Sequence, residues 1–449
     1  MQRLAAHLAV VVLVAGCGGR SADADESAVD DWLPGGKTDV YGSDDRREVY
    51  EADPVFRQVA QSTLLVVSST KLYLEGGERL RLVDTTYTDK IRTALGAPLC
   101  DSEPFRTQPA PGYCSGFLAA PDLVVTAGHC VNTSVSCAEL RFVFDFAYDE
   151  HVGEPEVTLV SSADFYRCQT VVGHLYDRDV APVSDPLSQE LWSDWAVVKL
   201  DRPVTGRAPL PLRDSGAISQ GRRAVAVGHP GGVPTKVTDG RVVDDSHELY
   251  FNTDLDIFAG NSGSAVVSGQ GVVEGISIRG SGGDSFELAG GCYRSRVCDA
   301  YDPTTVGCTG NHVMRVAALS PFLAAGGMVV ESTELVGDAG ILPDGQGEVM
   351  AELQVGESGV IRYVTVNVDM SSTFPEDLQI TVERDGGQQV PLFDRPKLKQ
   401  AGWSVYSRST KAFDGQQATG TWLVRVRDSV QNVASYQRVS SVELVVGLD

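Results

Sequence analysis

Thr126-Ala127-Gly128-His129-Cys130, Ser193-Asp194 and Gly260-Asn261-Ser262-Gly263-Ser264 are three short motifs that follow one another along the chain. A histidine, a carboxylate and a hydroxyl in one site supply a general base, the acid that orients it and a nucleophile. The three residues are spaced by about 65 positions each time. The order His, Asp, Ser differs from the orders in subtilisins and α/β-hydrolases, which carry the same triad on other folds. The motifs therefore predict a serine hydrolase and favour the two-barrel arrangement.

An apolar run leads into the histidine motif. Leu123-Val124-Val125-Thr126-Ala127 predicts a strand that carries His129 to the rim of a barrel. Cys114 lies 16 residues before Cys130, and a hairpin of that length can return to close a disulfide behind the histidine. Such a disulfide would hold the imidazole in place, as a general base requires. A histidine without this context would be interpreted as a core residue.

Asp194 stands at the head of a second run, Trp195-Ala196-Val197-Val198-Lys199-Leu200, which is largely apolar. A carboxylate that enters such a strand must be paired or hydrogen-bonded, because an unpaired buried charge costs several kcal/mol. The imidazole N–H of His129 is its natural partner. Other acidic residues occur nearby, and the position between the histidine and the serine selects Asp194 as the orienting acid.

Ser262 lies in a turn with glycines at positions 260 and 263. Glycine reaches backbone conformations that are closed to other residues and lets a substrate carbonyl approach. The backbone N–H groups of Gly260 and Ser262 are predicted to form the oxyanion hole, where each donor contributes roughly 3–4 kcal/mol. The Gly-x-Ser-x-Gly elbow of α/β-hydrolases is not matched, because residue 264 is serine.

With these motifs, residues 62–323 resemble a trypsin-like serine peptidase of the chymotrypsin fold. The word Gly-Asn-Ser-Gly-Ser is especially similar to the bacterial glutamyl endopeptidase branch, as is the glycine-rich segment Ala224-Val225-Ala226-Val227-Gly228-His229-Pro230-Gly231-Gly232. The resemblance implies an all-β fold of two six-stranded barrels with the triad in the cleft between them. It also implies that His129 is the base, Asp194 its orienter and Ser262 the nucleophile.

Departures from the family pattern surround the substrate pocket. Asn261 stands where animal trypsins place an Asp that receives a new amino terminus, so activation by that ion pair is not expected. Asp256, six residues before the nucleophile, occupies the position of the acid that holds Lys or Arg in trypsin-like enzymes. The strand with Ser277 and Arg279 should line the same pocket, and it lacks the histidine used by glutamyl endopeptidases. An inward Arg279 would neutralise Asp256 or favour an acidic side chain, whereas solvent-facing side chains would leave the residue preference open.

The composition excludes several other classes of protein. A net charge of −23 argues against a nucleic-acid partner, which requires clustered Lys and Arg. The 47 glycines and 21 prolines favour short strands and turns. The chemistry of a serine hydrolase requires no cofactor or metal, and we predict none.

The first residues have the features of an export signal. Arg3 precedes the apolar run Leu8 to Ala15, and the stretch ends in Leu13-Val14-Ala15-Gly16-Cys17, which resembles the lipobox of bacterial lipoproteins. The resemblance implies that residues 1–16 are removed and that Cys17 is lipidated, which would attach the protein to a membrane. The alternative is an ordinary cleaved signal that contains a cysteine. Residues 17–50 are predicted to be an acidic tether or pro-segment.

Cysteine usage agrees with a location outside the cytoplasm. Eight cysteines remain besides Cys17, and an even number in an exported chain predicts four disulfides. A zinc site is the rival interpretation, but the sequence has no Cys-x-x-Cys pair. Besides the pair Cys114 and Cys130, one of Cys292, Cys298 and Cys308 must pair elsewhere; we expect Cys100 as its partner and Cys137 with Cys168.

The chain divides near residue 340. Residues 51–330 are predicted to be the peptidase domain, residues 331–347 a linker rich in Gly, Asp and Pro, and residues 348–449 a β-sandwich. The segment Gly420-Thr421-Trp422-Leu423-Val424-Arg425-Val426-Arg427-Asp428, with Asp377-Leu378-Gln379-Ile380 upstream, resembles the P domain of proprotein convertases. That module stabilises or assists an adjacent protease, so a passive binding or stabilising role is expected.

Together these features predict an exported monomeric serine endopeptidase, a hydrolase that is either a cell-envelope lipoprotein or secreted, with protein or peptide substrates. Two alternatives come from other functional classes. A binding protein could retain the peptidase fold without activity, and an esterase would hydrolyse small esters but no peptide bond. The sequence does not specify the residue preference at the scissile bond.

Overall fold

The structure is a computed structural model. It describes residues 40–76, 79–83, 85–131, 136–148, 150, 157–176, 193–280, 286–305, 307–323, 327–343, 345, 347–374, 377–394, 402–430 and 437–449. The signal peptide predicted for residues 1–16 and the lipidation predicted at Cys17 lie outside these residues. Among the described helices, none has both the length and the hydropathy needed to cross a bilayer.

The first barrel is a closed sheet of six antiparallel strands, in the order β5-β6-β3-β2-β1-β4. Its strands are β1 (Thr63–Ser68), β2 (Cys114–Ala120), β3 (Leu123–Thr126), β4 (Leu140–Phe144), β5 (Phe165–Tyr176) and β6 (Asp194–Leu200). Aliphatic and aromatic side chains such as Leu64, Phe117, Val124 and Phe142 fill its interior and are fully buried. Burial of this apolar area provides the main driving force for closing the barrel.

The second barrel also closes, because its first strand pairs with its second. Its strands are β7 (Arg223–Gly228), β8 (Lys236–Asp244), β9 (Tyr250–Thr253), β10 (Ala265–Ser268), β11 (Val273–Arg279) and β12 (Asn311–Arg315). The barrel region also contains smaller antiparallel sheets. One has three strands, Leu72–Gly76, Arg79–Leu82 and Leu159–Ser161, and another pairs Phe286–Ala289 with Cys292–Ser295.

The end of the segment expected to be a tether belongs to the fold. Arg47–Glu48 extends the sheet of the second barrel by pairing with β8, and Val40–Tyr41 pairs in parallel with Val297–Cys298. Lys236 is buried and forms a 2.9 Å ion pair with Glu48, which secures this attachment. Residues 40–50, the end of the acidic tether or pro-segment predicted for residues 17–50, therefore pair part of their backbone with the barrel region rather than with water.

Within the described residues, three short α-helices accompany the two barrels. Helix α1 (Pro54–Gln61) begins with Pro at its first position, as is common for helix starts, and α2 (Tyr87–Leu95) is capped by the Thr86 side chain, which accepts a 3.2 Å bond from Asp89 N. Helix α3 (Ser320–Leu323) follows the last strand of the second barrel.

The C-terminal region contains two four-stranded antiparallel sheets that share one apolar core. The sheets are β13-β20-β15-β18 and β14-β19-β16-β17, with β13 (Met328–Glu334), β14 (Glu348–Val355), β15 (Ile361–Ser372), β16 (Leu378–Arg384), β17 (Val390–Asp394), β18 (Gly402–Thr410), β19 (Gly420–Asp428) and β20 (Gln437–Leu448). Trp422 is fully buried in this core. Strand β13 overlaps the linker predicted for residues 331–347, so the sandwich starts before residue 348. The last four residues of β13 are polar and half-buried or exposed, which conceals an edge strand.

Four disulfides are present, and they agree with the predicted pairings. They join Cys100 to Cys292, Cys114 to Cys130, Cys137 to Cys168 and Cys298 to Cys308. The predicted fold class, all-β with two chymotrypsin-like barrels and a following sandwich, is confirmed.

Candidate active site

The three sequence motifs supply the candidate site from both barrels. His129 lies in a single helical turn, Gly128–Val131, directly after β3, and Asp194 is the first residue of β6. Strands β3 and β6 are neighbours, with Thr126 opposite Ala196. This pairing brings the ends of the two strands together and explains why residues 65 positions apart meet.

Asp194 holds His129 through both carboxylate oxygens. Oδ2 lies 2.8 Å from Nδ1 of the imidazole, and Oδ1 accepts a 3.0 Å hydrogen bond from the backbone N–H of His129. The first contact fixes the ring orientation and favours the tautomer in which Nδ1 carries the proton. Nε2 is then left as the atom that can accept a proton.

The carboxylate of Asp194 is 0 % exposed. Burial opposes its ionisation, but the charge and hydrogen bonds of His129, together with Arg279, outweigh that penalty and hold the pKa of Asp194 below its usual range. The Arg279 guanidinium lies 3.9 Å from Oδ2 of Asp194. The site therefore keeps a buried negative charge next to the histidine.

Ser262 lies in the turn that precedes β10. Its carbonyl oxygen accepts a 2.8 Å bond from the amide of Ser115 in β2 and lies 3.7 Å from Sγ of Cys130, the residue after His129. These contacts connect the serine turn of the second barrel to the first barrel beside the histidine turn.

The backbone of the serine turn requires glycine. Gly260 and Gly263 have φ values of +99° and +89°, and a Cβ on Gly263 would lie 2.0 Å from the Ser115 carbonyl oxygen. The Ser115 hydroxyl donates a 2.7 Å bond to the Gly260 carbonyl and so holds the turn. Within the described residues, the amides of Gly260 and Ser262 donate to no backbone carbonyl, which leaves them available as the predicted oxyanion donors.

The candidate pocket residues have different surroundings from those expected. Asp256 is buried, and its two oxygens each accept a 2.8 Å bond, from the backbone amides of Tyr41 and Asp45. Burial raises the pKa of Asp256 to about 7, and the nearby carboxylates of Asp45 and Asp44 act in the same direction. The two hydrogen bonds favour the charged form and oppose this shift. Asp256 therefore does not face solvent, and both of its carboxylate oxygens bind backbone amides of the N-terminal segment.

Ser277 and Arg279 lie on either side of a β-bulge in β11. The Ser277 amide donates 3.0 Å to Ser264, its carbonyl accepts 2.8 Å from Gly263, and its buried hydroxyl has no hydrogen-bond partner among the described residues. The strand register shifts between Ser277 and Arg279, and the arginine side chain lies beside Asp194. Arg279 is thus brought to the triad.

Sequence reasoning missed Lys90, which supports the segment before Ser262. Its ammonium donates to the carbonyls of Gly112 at 2.6 Å and Gly231 at 2.8 Å, while the Gly231 amide donates a 2.6 Å bond to the Ala259 carbonyl. Burial lowers the pKa of Lys90 to about 7. No local motif marks this lysine, because its partners are backbone carbonyls far away in sequence.

The side chains of Cys114, His129 and Cys130 are close enough to suggest a metal site. Both sulfur atoms belong to the disulfide behind the histidine, so neither is available as a thiolate ligand. This cluster therefore supports the positioning of His129 and not metal binding.

Comparisons with known proteins agree with this geometry. Residues 114–276 match the family model of the trypsin-like peptidase domain, a range that contains all three motifs. Residues 361–444 match the proprotein convertase P-domain. No curated protein sequence matches the chain significantly. The first match supports a serine peptidase in general, and both fit the resemblance identified from the motifs.

Proposed function

We propose that this chain is an exported serine endopeptidase that hydrolyses peptide bonds through an acyl-enzyme on Ser262. The observation that carries the proposal is the pairing of His129 with a fully buried Asp194 through two hydrogen bonds. A buried carboxylate that orients an imidazole in this way supports general-base catalysis.

The proposed reaction has two halves. His129 takes the proton from Ser262 Oγ as that oxygen attacks the scissile carbonyl, and the amides of Gly260 and Ser262 bind the oxyanion. His129 then gives the proton to the leaving amine, which departs with one half of the peptide. Water, deprotonated by His129, attacks the ester on Ser262 and releases the other half as a carboxylic acid, while His129 returns the proton to Ser262 Oγ.

The disulfides support the exported location. Four disulfides in one chain are typical of proteins that fold outside the reducing cytoplasm. The proposed lipid on Cys17 rests on the sequence Leu13-Val14-Ala15-Gly16-Cys17. Incorporation of a labelled fatty acid by the wild type, and its loss in Cys17→Ala, would test it; equal incorporation in both would contradict it.

A fluorophosphonate probe and a peptide library test the enzymatic proposal on the full chain. We expect the probe to label the wild type and Ser215→Ala, a control at an exposed serine, but not Ser262→Ala. We also expect the wild type to cleave library peptides. Labelling with turnover of small esters alone would support an esterase. A folded wild type that is neither labelled nor active would support a silent binding protein.

The peptidase branch is a further part of the proposal, and it bears on the residue preference at the scissile bond. The motif Gly-Asn-Ser-Gly-Ser favours the glutamyl endopeptidase branch, while the strand with Ser277 and Arg279 lacks the histidine that this branch uses in its pocket. The library cleavage pattern determines the residue preference directly.

A further inference from the structure

The C-terminal sandwich packs against β5 of the first barrel. Thr365 donates a 2.6 Å bond to the Val172 carbonyl, and the Asn367 amide donates 3.1 Å to the Val171 carbonyl. The Thr170 hydroxyl donates to the Glu443 carboxylate on the same face. Several buried polar bonds thus join the sandwich to one strand of the barrel.

An aromatic contact accompanies these bonds. The Phe322 ring lies 4.6 Å from the ring of Trp195, the residue after Asp194, and 4.4 Å from the ring of Tyr363 in the sandwich. The sandwich therefore approaches the strands that carry the triad residues as well as β5.

His174 lies in β5 and connects the sandwich to the helical turn that carries His129. The residue is 3 % exposed, and its backbone amide donates a 2.9 Å bond to the Ser409 hydroxyl. Its ring Nδ1 lies 2.6 Å from the Ser407 carbonyl oxygen, and Nε2 lies 2.9 Å from the Gly128 carbonyl oxygen. Gly128 is the residue immediately before His129.

Both ring nitrogens of His174 face carbonyl acceptors, one in each domain. Burial lowers the pKa of His174, while the bonds to Gly128 and Ser407 and the charge of Asp194 oppose that shift. A neutral imidazole carries one N–H and donates to one of these two carbonyls, so replacing the ring would leave a buried carbonyl of this contact without its donor, which is costly for that backbone group.

The turn has little other freedom at this point. A Cβ on Gly128 would lie 2.5 Å from the Leu175 carbonyl oxygen and 2.9 Å from the Trp195 amide nitrogen, so the backbone sits tightly between β5 and β6. Two residues after His174, the Tyr176 ring lies 5.9 Å from the His129 ring. Strand β5 therefore contacts the sandwich and the catalytic histidine within one short stretch.

We propose that His174 is a positioning residue through which the docked C-terminal domain fixes the backbone of the turn that carries His129. The inference rests on the proposed peptidase function. It assigns the sandwich an active part in setting the geometry of the base, beyond stabilising the chain. A small displacement of a catalytic group, about 1 Å, can cost about 10²-fold in rate.

The test compares His174→Ala and His174→Gln with Thr170→Val in the full chain. Thr170→Val removes one bond to the same domain from the same strand, while leaving the Gly128 contact in place. We expect His174→Ala to lower kcat about 10- to 100-fold with KM changed less than about threefold. His174→Gln, whose amide can donate to one carbonyl, should regain part of kcat, and Thr170→Val should keep it within about twofold. The melting temperature is recorded for all four proteins.

Equal kcat in wild type and His174→Ala, with a lower melting temperature, would overturn the inference and leave the proposed function intact. A loss of kcat as large in Thr170→Val would also overturn it, because the effect would then come from docking in general. If His174→Ala does not fold, the kcat values of His174→Gln and Thr170→Val are compared instead. A lower kcat in His174→Gln than in Thr170→Val supports the inference, and equal kcat values overturn it. A wild type without labelling or cleavage would overturn the proposed function and this inference together.

Discussion

The backbone amide of Tyr41 donates a 2.8 Å hydrogen bond to Oδ1 of Asp256, across 215 positions of sequence. The amide of Asp45 donates a bond of the same length to Oδ2. Asp256 lies six residues before Ser262, so these two bonds attach the N-terminal segment to the stretch that leads to Ser262. The carboxylate that the trypsin resemblance assigns to a substrate side chain already has partners within the chain.

Asp256→Asn should therefore leave the residue preference of cleavage unchanged. The wild-type carboxylate is buried and saturated by two amides, so it is not available to pair with a Lys or Arg of a substrate. Cleavage of the same peptide library by the two proteins measures this. A selective loss of cleavage after Lys and Arg in the variant would show that Asp256 contacts substrate.

The same substitution should change how stability depends on pH. The pKa of Asp256 is raised to about 7 in the folded protein, from an ordinary value of 3.8. A raised carboxyl pKa means that the folded state binds the proton more tightly, so this group's stabilising contribution is present below about pH 4 and is lost as the pH rises through 7. Wild-type stability should thus fall more steeply than that of Asp256→Asn between pH 4 and 7.

Urea unfolding of both proteins at several pH values in that window measures the difference. Parallel curves would mean that Asp256 titrates near its ordinary value in the folded protein. Comparison of the two proteins at each pH cancels the contributions of the titrating groups that do not interact with Asp256.

Short attachments were the part of the fold that the sequence could not predict. The two-residue strands Val40–Tyr41 and Arg47–Glu48 are too brief to show an alternating pattern, and their acidic surroundings resemble a solvated segment. Strand β13 lies at a sheet edge, where exposed polar side chains look like a linker. The long barrel strands, in contrast, carry continuous apolar runs and were predictable.

The same contrast applies to the site. His129, Asp194 and Ser262 stand in motifs whose residue types the proposed chemistry requires, and their order along the chain is the one found in two-barrel peptidases, so the sequence alone makes them candidates. The position of Arg279 depends on a bulge between Ser277 and Arg279, and such a shift changes which face of a strand a side chain occupies. A bulge leaves no reliable trace in a single sequence.

Gly263→Ala should be much more damaging than Gly415→Ala. Both glycines have positive φ, +89° and +78°, so a Cβ costs about 1–2 kcal/mol at either position. At Gly263 the Cβ would also lie 2.0 Å from the Ser115 carbonyl oxygen, whereas nothing lies within 4 Å at Gly415. We expect Gly263→Ala to lose about 1–3 kcal/mol more in the free energy of unfolding, from overpacking, and most of its activity. Similar unfolding energies for the two variants would contradict the close approach.

Removal of the disulfide behind the histidine should reduce both stability and rate. The Cys114–Cys130 bridge closes a loop of 16 residues, and its replacement by two serines should cost about 2–4 kcal/mol in the free energy of unfolding. We expect kcat to fall as well, about tenfold or more, because the bridge adjoins His129. The matched control replaces Cys137 and Cys168 by serine. Their bridge is attached near the start of β5, whereas the other end of that strand lies beside Asp194. A fall in kcat of the same size in the control would indicate a general loss of packing.

Asp194→Asn should lower kcat by about 10⁴-fold with little change in KM. The buried carboxylate accepts at Oδ2 from the imidazole and at Oδ1 from the backbone amide of His129, and an asparagine can reproduce only one acceptor. If its NH₂ group faces Nδ1, it stabilises the wrong tautomer of the ring. If it faces the His129 amide, two donors oppose each other. Peptide cleavage and fluorophosphonate labelling rates measure the effect, with Asp214→Asn, at an exposed aspartate, as the control of equal charge change. A variant within tenfold of the wild-type kcat would mean that Asp194 does not orient the base, and the proposed triad would have to be abandoned.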